Sequence, residues 1–152
     1  MDKDKSKESR TASIFSSLTI GIPFCMYKFL FGMLVIRNHM ELPGWIIIIW
    51  ALADALMNLA RSSFLLAQKK SPIETCTLAQ LGRLFNRTAV FLAIDTLLSF
   101  SIICFVLWSR WITELRPQES PLWYLATTIN LASLSIVSLW SEIRKPRPRA
   151  EQ

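Results

Sequence analysis

Residues 45–62, WIIIIWALADALMNLARS, decide how this chain is read. The run is apolar enough to enter a membrane, yet it carries Asp54, Asn58 and Arg61. At about 100° per residue, Ala51, Asp54, Asn58 and Arg61 fall on one face of a helix. Insertion scales put the cost of an ionised residue at a helix centre at about 2.5–3.5 kcal/mol. A face of that kind has to meet other protein. The stretch therefore predicts a membrane span with partners along its polar side.

The rest of the chain supplies three more apolar blocks. Hydrophobic residues make up 52% of the 152 positions and there are only 4 glycines, so a strand-and-turn architecture has little support. Spans are expected at about 14–36, 43–66, 88–108 and 122–140. About 20 helical residues cross a hydrocarbon core of about 30 Å, and each block is long enough. A soluble bundle would need a wide polar face on every helix, and IIIIWALADAL and FSIICFVLW have none. The expected fold is all-α: a polytopic membrane protein with four transmembrane helices in an antiparallel bundle over residues 13–142. Pro23 is expected to kink the first span, and Pro43 suits the first turn of the second.

Charge sets the expected orientation. Lys3, Lys5, Lys7 and Arg10 lie in a charged leader, residues 1–12, expected to be disordered. The apolar block after it is longer than the core of a cleavable signal, so it reads as a retained anchor. The cationic side after the second span holds Lys69, Lys70, Arg83 and Arg87, with Arg61 near the end of that span counted with them, and a basic tail at 143–152 holds Arg144, Lys145, Arg147 and Arg149. Only Arg37, Arg110 and Arg116 fall on the other side. Both termini are therefore expected to be cytoplasmic, in a bacterial inner (plasma) membrane. The net charge of +6 predicts attraction to anionic headgroups, with Arg83, Arg87, Arg144 and Lys145 as contacts. KPRPR in the tail is read the same way, and no nucleic-acid partner is expected. SPIE at 71–74 reads as a capped helix start, leading an interfacial helix over about 72–86. Ser120-Pro121 repeats the signal before the fourth span. Trp45, Trp108, Trp111 and Trp123 fall where interfacial aromatic anchors belong.

Each span carries a polar stripe. Ser17, Gly21, Cys25, Lys28 and Gly32 share one face of the first, and Ser17, Gly21, Gly32 and Ala51 are small enough for close helix packing. Thr88, Asp95 and Ser99 align in the third span. Thr127, Asn130, Ser138 and Ser141 align in the fourth, opposite Leu125, Ile129, Ile136 and Leu139. Depths counted from the span ends place Lys28 beside Asp54, and Arg61 nearer Asp95. The expected polar core is Lys28, Asp54, Asn58, Arg61, Asp95 and Asn130. Within it, Lys28–Asp54 and Arg61–Asp95 are the expected pairs, and the two asparagines fill leftover hydrogen bonds.

Chemistry-bearing motifs are few. His39 is the single histidine, and Cys25, Cys76 and Cys104 lack paired spacing and read as small buried hydrophobes. No metal site, cofactor or catalytic residue is expected. The favoured reading is an accessory or structural subunit of a membrane complex, bound to a membrane-protein partner or to copies of itself. The alternative is a small proton- or ion-coupled transporter or channel acting as an oligomer, because intramembrane charges commonly line such paths. A third reading, an intramembrane enzyme with Asp54 and Asp95 as a proton-sharing pair, lacks the glycine-rich motif that intramembrane aspartyl proteases carry around their second aspartate.

Overall fold

The computed structural model describes residues 14–15, 17–67 and 73–143. The whole basic leader, nearly all of the tail with Arg144 and Lys145, and the Ser71-Pro72 helix start lie outside these residues. A π-helical turn, Ser17–Gly21, runs into α1 (Ile22–Arg37), followed by α2 (Glu41–Leu66), α3 (Thr77–Leu84) and α4 (Thr88–Trp108). A single 3₁₀ turn, Trp111–Glu114, leads to α5 (Ser120–Ile143). Four stretches are long and apolar enough to cross a membrane: Ser17–Arg37, α2, α4 and the Ser120–Trp140 part of α5.

Local chemistry explains the boundaries. Pro23 has no N–H to donate; it stands in the first turn of α1, directly after the π turn. α2 begins two residues ahead of Pro43, which occupies its first turn as expected of proline. α3 starts at Thr77, not near Pro72, and its N-cap is Cys76, whose Sγ accepts the Ala79 N–H at 3.4 Å. Residues 73–76 stay out of helix because their neighbours use them elsewhere, as described below. α5 already includes Ser120, and the Glu119 carbonyl accepts the Trp123 N–H.

α1 is the central helix. Half of its apolar window is buried, against 28%, 17% and 22% for the other three, and it packs against α2, α4 and α5. Its contact with α2 is the closest. Gly32 faces the Gly44 backbone and Ile48, so backbone meets backbone where a side chain would keep the helices apart, and Gly21 leaves room for the Asn58 side chain. Ala51 is buried on the same face. Beyond Lys28 the interior is apolar: Tyr27, Leu30 and Leu34 of α1 pack with Val106, Leu115, Trp123 and Ala126. Aromatic rings pack in this half, with Tyr27 edge-on to Trp123 at 4.9 Å and Phe31 stacked on Trp111 at 6.2 Å. Trp123 is thus a core residue, not the interfacial anchor its position suggested, because Tyr27 offers its ring a partner. Trp45 and Trp108 are exposed. Cys104 and Ser138 are exposed too, against the inward positions expected of them.

Tyr27 also donates a hydrogen bond to Thr127 Oγ1 at 3.0 Å, joining α1 to α5. Tyr27→Phe should lower stability by about 0.5–1.5 kcal/mol, towards the lower end if lipid surrounds the helices. Unfolding of the purified protein in detergent measures it.

Candidate functional site

The site is a shared ammonium. Lys28 leaves α1 fully buried, and its Nζ donates to Asp54 Oδ2 at 2.7 Å on α2 and to Asp95 Oδ1 at 2.5 Å on α4. The same Nζ lies 4.3 Å from the centroid of the Trp50 ring, a cation–π contact in desolvated surroundings. Asp54 is held from the other side as well. Its Oδ1 accepts the Thr77 backbone N–H at 2.7 Å and the Thr77 hydroxyl at 2.8 Å. Trp50 Nε1 donates to that hydroxyl at 2.7 Å. The carboxylate therefore satisfies one orphan donor, the Thr77 N–H, at the first turn of α3 and sits at the positive end of its dipole. This is why residues 73–76 are not helical: they carry the chain to the level of Asp54, midway along α2.

The two carboxylates are not equivalent. Asp54 accepts from three donors, whereas Lys28 is the single hydrogen-bond donor to Asp95 among the described residues. With both ionised, the cluster holds one positive and two negative charges.

Arg61 goes elsewhere. Its Nη1 lies 3.1 Å from Glu74 Oε2, so the expected Arg61–Asp95 pair is replaced by Lys28–Asp95. The physical reason is the segment before α3, which brings an unforeseen carboxylate to Arg61 and frees Asp95 for a lysine long enough to reach two helices. Asn58 Nδ2 donates to the Asp54 carbonyl at 3.0 Å and faces Cys25 Sγ at 3.8 Å, while its Oδ1 has no partner. Asn130 is buried with an unpartnered Oδ1 and makes no hydrogen bond to the cluster it was expected to complete. Arg83 and Arg87 are exposed.

A half-enclosed cavity of about 190 Å³ adjoins the cluster. It follows the α1 face from Ser17 through Gly21 and Cys25 to Lys28, and is closed by Asn58, Cys76 and Asp95. Ser17 Oγ and Asn58 Oδ1 are both buried there without a hydrogen-bond partner. Burial pushes the Cys76 thiol up to about 12, so it stays protonated and unreactive near neutral pH.

No family model, curated protein or solved structure matches this chain. The site is therefore read from its own chemistry. No group of three or more His, Cys, Asp or Glu side chains among the described residues is placed to hold a metal ion. Sequence reasoning missed Thr77, Trp50 and Glu74. The signal available was Asp54 itself, since a buried carboxylate needs more donors than one lysine supplies.

A second ionic contact lies at the far end of α1. Arg37 Nη1 donates to Glu119 Oε2 at 2.8 Å and to the Glu114 carbonyl at 3.0 Å, and Asn38 Nδ2 donates to Glu114 Oε2 at 2.9 Å. The Arg37 hydrogen bonds hold the Glu119 carboxyl below its ordinary value. A carboxylate with a lowered folded-state pKa adds stability above its unfolded pKa and loses it as pH falls through the folded value. Acidification below the usual carboxylate range should thus loosen the 109–119 segment in wild type. Glu119→Gln should remove that acid-dependent component, as read by hydrogen exchange of residues 109–119 against pH.

Proposed function

We propose that the chain is an integral membrane protein with four antiparallel spans and both termini cytoplasmic, serving as an accessory or structural subunit of an inner-membrane assembly. The observation that carries this reading is the joint made by Lys28. One side chain ties α2 and α4 to α1, and through Asp54 it also fixes the start of α3. Helices in lipid gain no hydrophobic drive to associate, so buried polar contacts and small residues decide which helix meets which. The Lys28 joint and the Gly32–Gly44 approach are contacts of that kind.

α4 and α5 pack on α1 without an extensive interface of their own, and both leave large apolar side chains exposed, among them Leu97, Leu107, Leu131 and Leu139. In the membrane such faces suit lipid as well as a second copy or another membrane protein. Basic residues on the cytoplasmic side, Arg83 and Arg87 included, suit anionic headgroups. An enzymatic role gains no support, because a lysine ammonium bridges the two aspartates where a proton-sharing pair would need them to face each other.

A second reading, proton or ion translocation, is favoured by the cavity beside the cluster and by its excess negative charge. Asp54→Asn and Asp95→Asn separate the two. Loss of accumulation or of co-purifying membrane proteins supports the subunit reading. Normal abundance with loss of a cation-dependent flux in vesicles overturns it.

A further inference from the structure

We propose that residues 73–84 form a re-entrant strap, latched by Asp54, which enters the membrane from the side at which α2 ends and leaves by that same side. The strap walls the polar cavity beside Lys28, and undoing the latch opens that cavity. The inference rests on the membrane-embedded reading of the four long helices.

Contacts along the segment fix its depth. Glu74 meets Arg61 and Thr77 meets Asp54, so the chain climbs about 10 Å along α2 between them. α3 then descends beside the start of α4. Gly82 packs on Phe91, the Phe85 and Phe91 rings stack at 6.0 Å, and the Arg87 N–H donates to the Gly82 carbonyl at 2.8 Å. From Thr88, α4 climbs about 10 Å to Asp95, which Lys28 joins to Asp54. The circuit closes on one layer. With 21 residues α4 is just long enough to cross the hydrocarbon core, so a helix packed beside its first turns lies inside that core. A helix resting along the surface would not reach Asp54.

The local chemistry suits this depth. Re-entrant backbone is tolerated in a membrane where protein buries it and meets its polar groups. The Thr77 N–H has Asp54, the Ala79 N–H has Cys76 Sγ, and Cys76, Ala79 and Gly82 are buried. Leu81, Leu84 and Phe85, on the opposite face of α3, are exposed as lipid-facing residues should be. The two flanks are held differently. Towards α4 the contacts are apolar. Towards α2 they are polar: Asp54 accepts from the Thr77 N–H and hydroxyl, Trp50 donates to that hydroxyl, and Arg61 pairs with Glu74. Thr75 and Cys76 line the cavity together with Cys25, Lys28 and Asp95. Loss of the latch therefore frees the strap from α2 while α4 retains it, and the cavity between them opens.

Cys76 reports the state of the strap. In Cys25→Ala/Cys104→Ala chains it is the one remaining thiol, and a membrane-impermeant methanethiosulfonate is added to either side of sealed vesicles. Cys76 should react far more slowly than a surface reference, Arg87→Cys in a chain whose three native cysteines are alanine. Thr77→Val should raise the rate about tenfold or more, from the side at which α2 ends, since it removes a hydrogen bond to a charged group. Thr77→Ser, which keeps the hydroxyl, should react as the parent does. Should Thr77→Val not fold, Trp50→Phe, which removes another donor of the latch, is read in its place. A parent Cys76 as reactive as the reference, reaction from the opposite side, or a latch variant no faster than the parent each overturn the proposal. Release of the chain by alkaline carbonate without detergent would instead overturn the membrane reading, and the strap with it.

Discussion

Lys28→Met is expected to cost about 3–5 kcal/mol, the range for removing one partner of a buried ion pair. Asp54 would keep its two bonds from Thr77, but Asp95 would lose the single donor seen for it among the described residues. Two buried carboxylates would then stand near each other without a cation, and the contact tying α4 to α1 would turn repulsive. The folded fraction after purification in detergent, and abundance in the membrane, both report the loss. The triple variant Lys28→Met/Asp54→Asn/Asp95→Asn should recover much of it. Replacing a whole buried ionic cluster by neutral groups is often tolerated when removing one member is not.

Gly44→Leu is the second large effect, with an expected loss of about 3 kcal/mol, at the upper end for overpacking. A Cβ at position 44 would lie 2.8 Å from the Gly32 carbonyl and 3.0 Å from the Ile36 backbone N, and backbone atoms cannot swing aside. α1 and α2 would have to separate, which stretches the Lys28–Asp54 contact farther down the same interface. Gly44→Ala meets the same atoms with less bulk and should cost about 1–2 kcal/mol. Unfolding of both variants in one detergent, compared with wild type, checks the order: wild type, then alanine, then leucine.

How much of this was legible depends on the kind of residue. The number of helices long and apolar enough to cross a membrane came from the lengths of the apolar blocks, which no tertiary contact alters. Lys28 and Asp54 could be brought to one level by counting helical rise, and the structure places them 2.7 Å apart. Counting failed for Asp95 because it treated each span as upright and each loop as lying at the surface. The segment before α3 instead rises beside Asp54, and Glu74 takes the arginine that depth alone gave to Asp95. Cys76 as an N-cap and Thr77 as a carboxylate donor have no signature in a sequence whose nearest helix-start signal is SPIE. The central place of α1 was hidden for a similar reason. Hydropathy ranks α4 as the most apolar helix, yet α1 is the one most buried, because its glycines and polar stripe need protein around them where α4 can face lipid.

The central claim is that Lys28 binds Asp95 and Asp54 at once and thereby joins three helices. A double-mutant cycle on Lys28→Met and Asp95→Asn tests it most directly, with unfolding free energies of wild type, both single variants and the double variant measured in the same detergent. The account predicts strong coupling, about 1.5 kcal/mol or more, with the double variant more stable than Lys28→Met alone. Losses that simply add, leaving the double variant the least stable of the four, would contradict it.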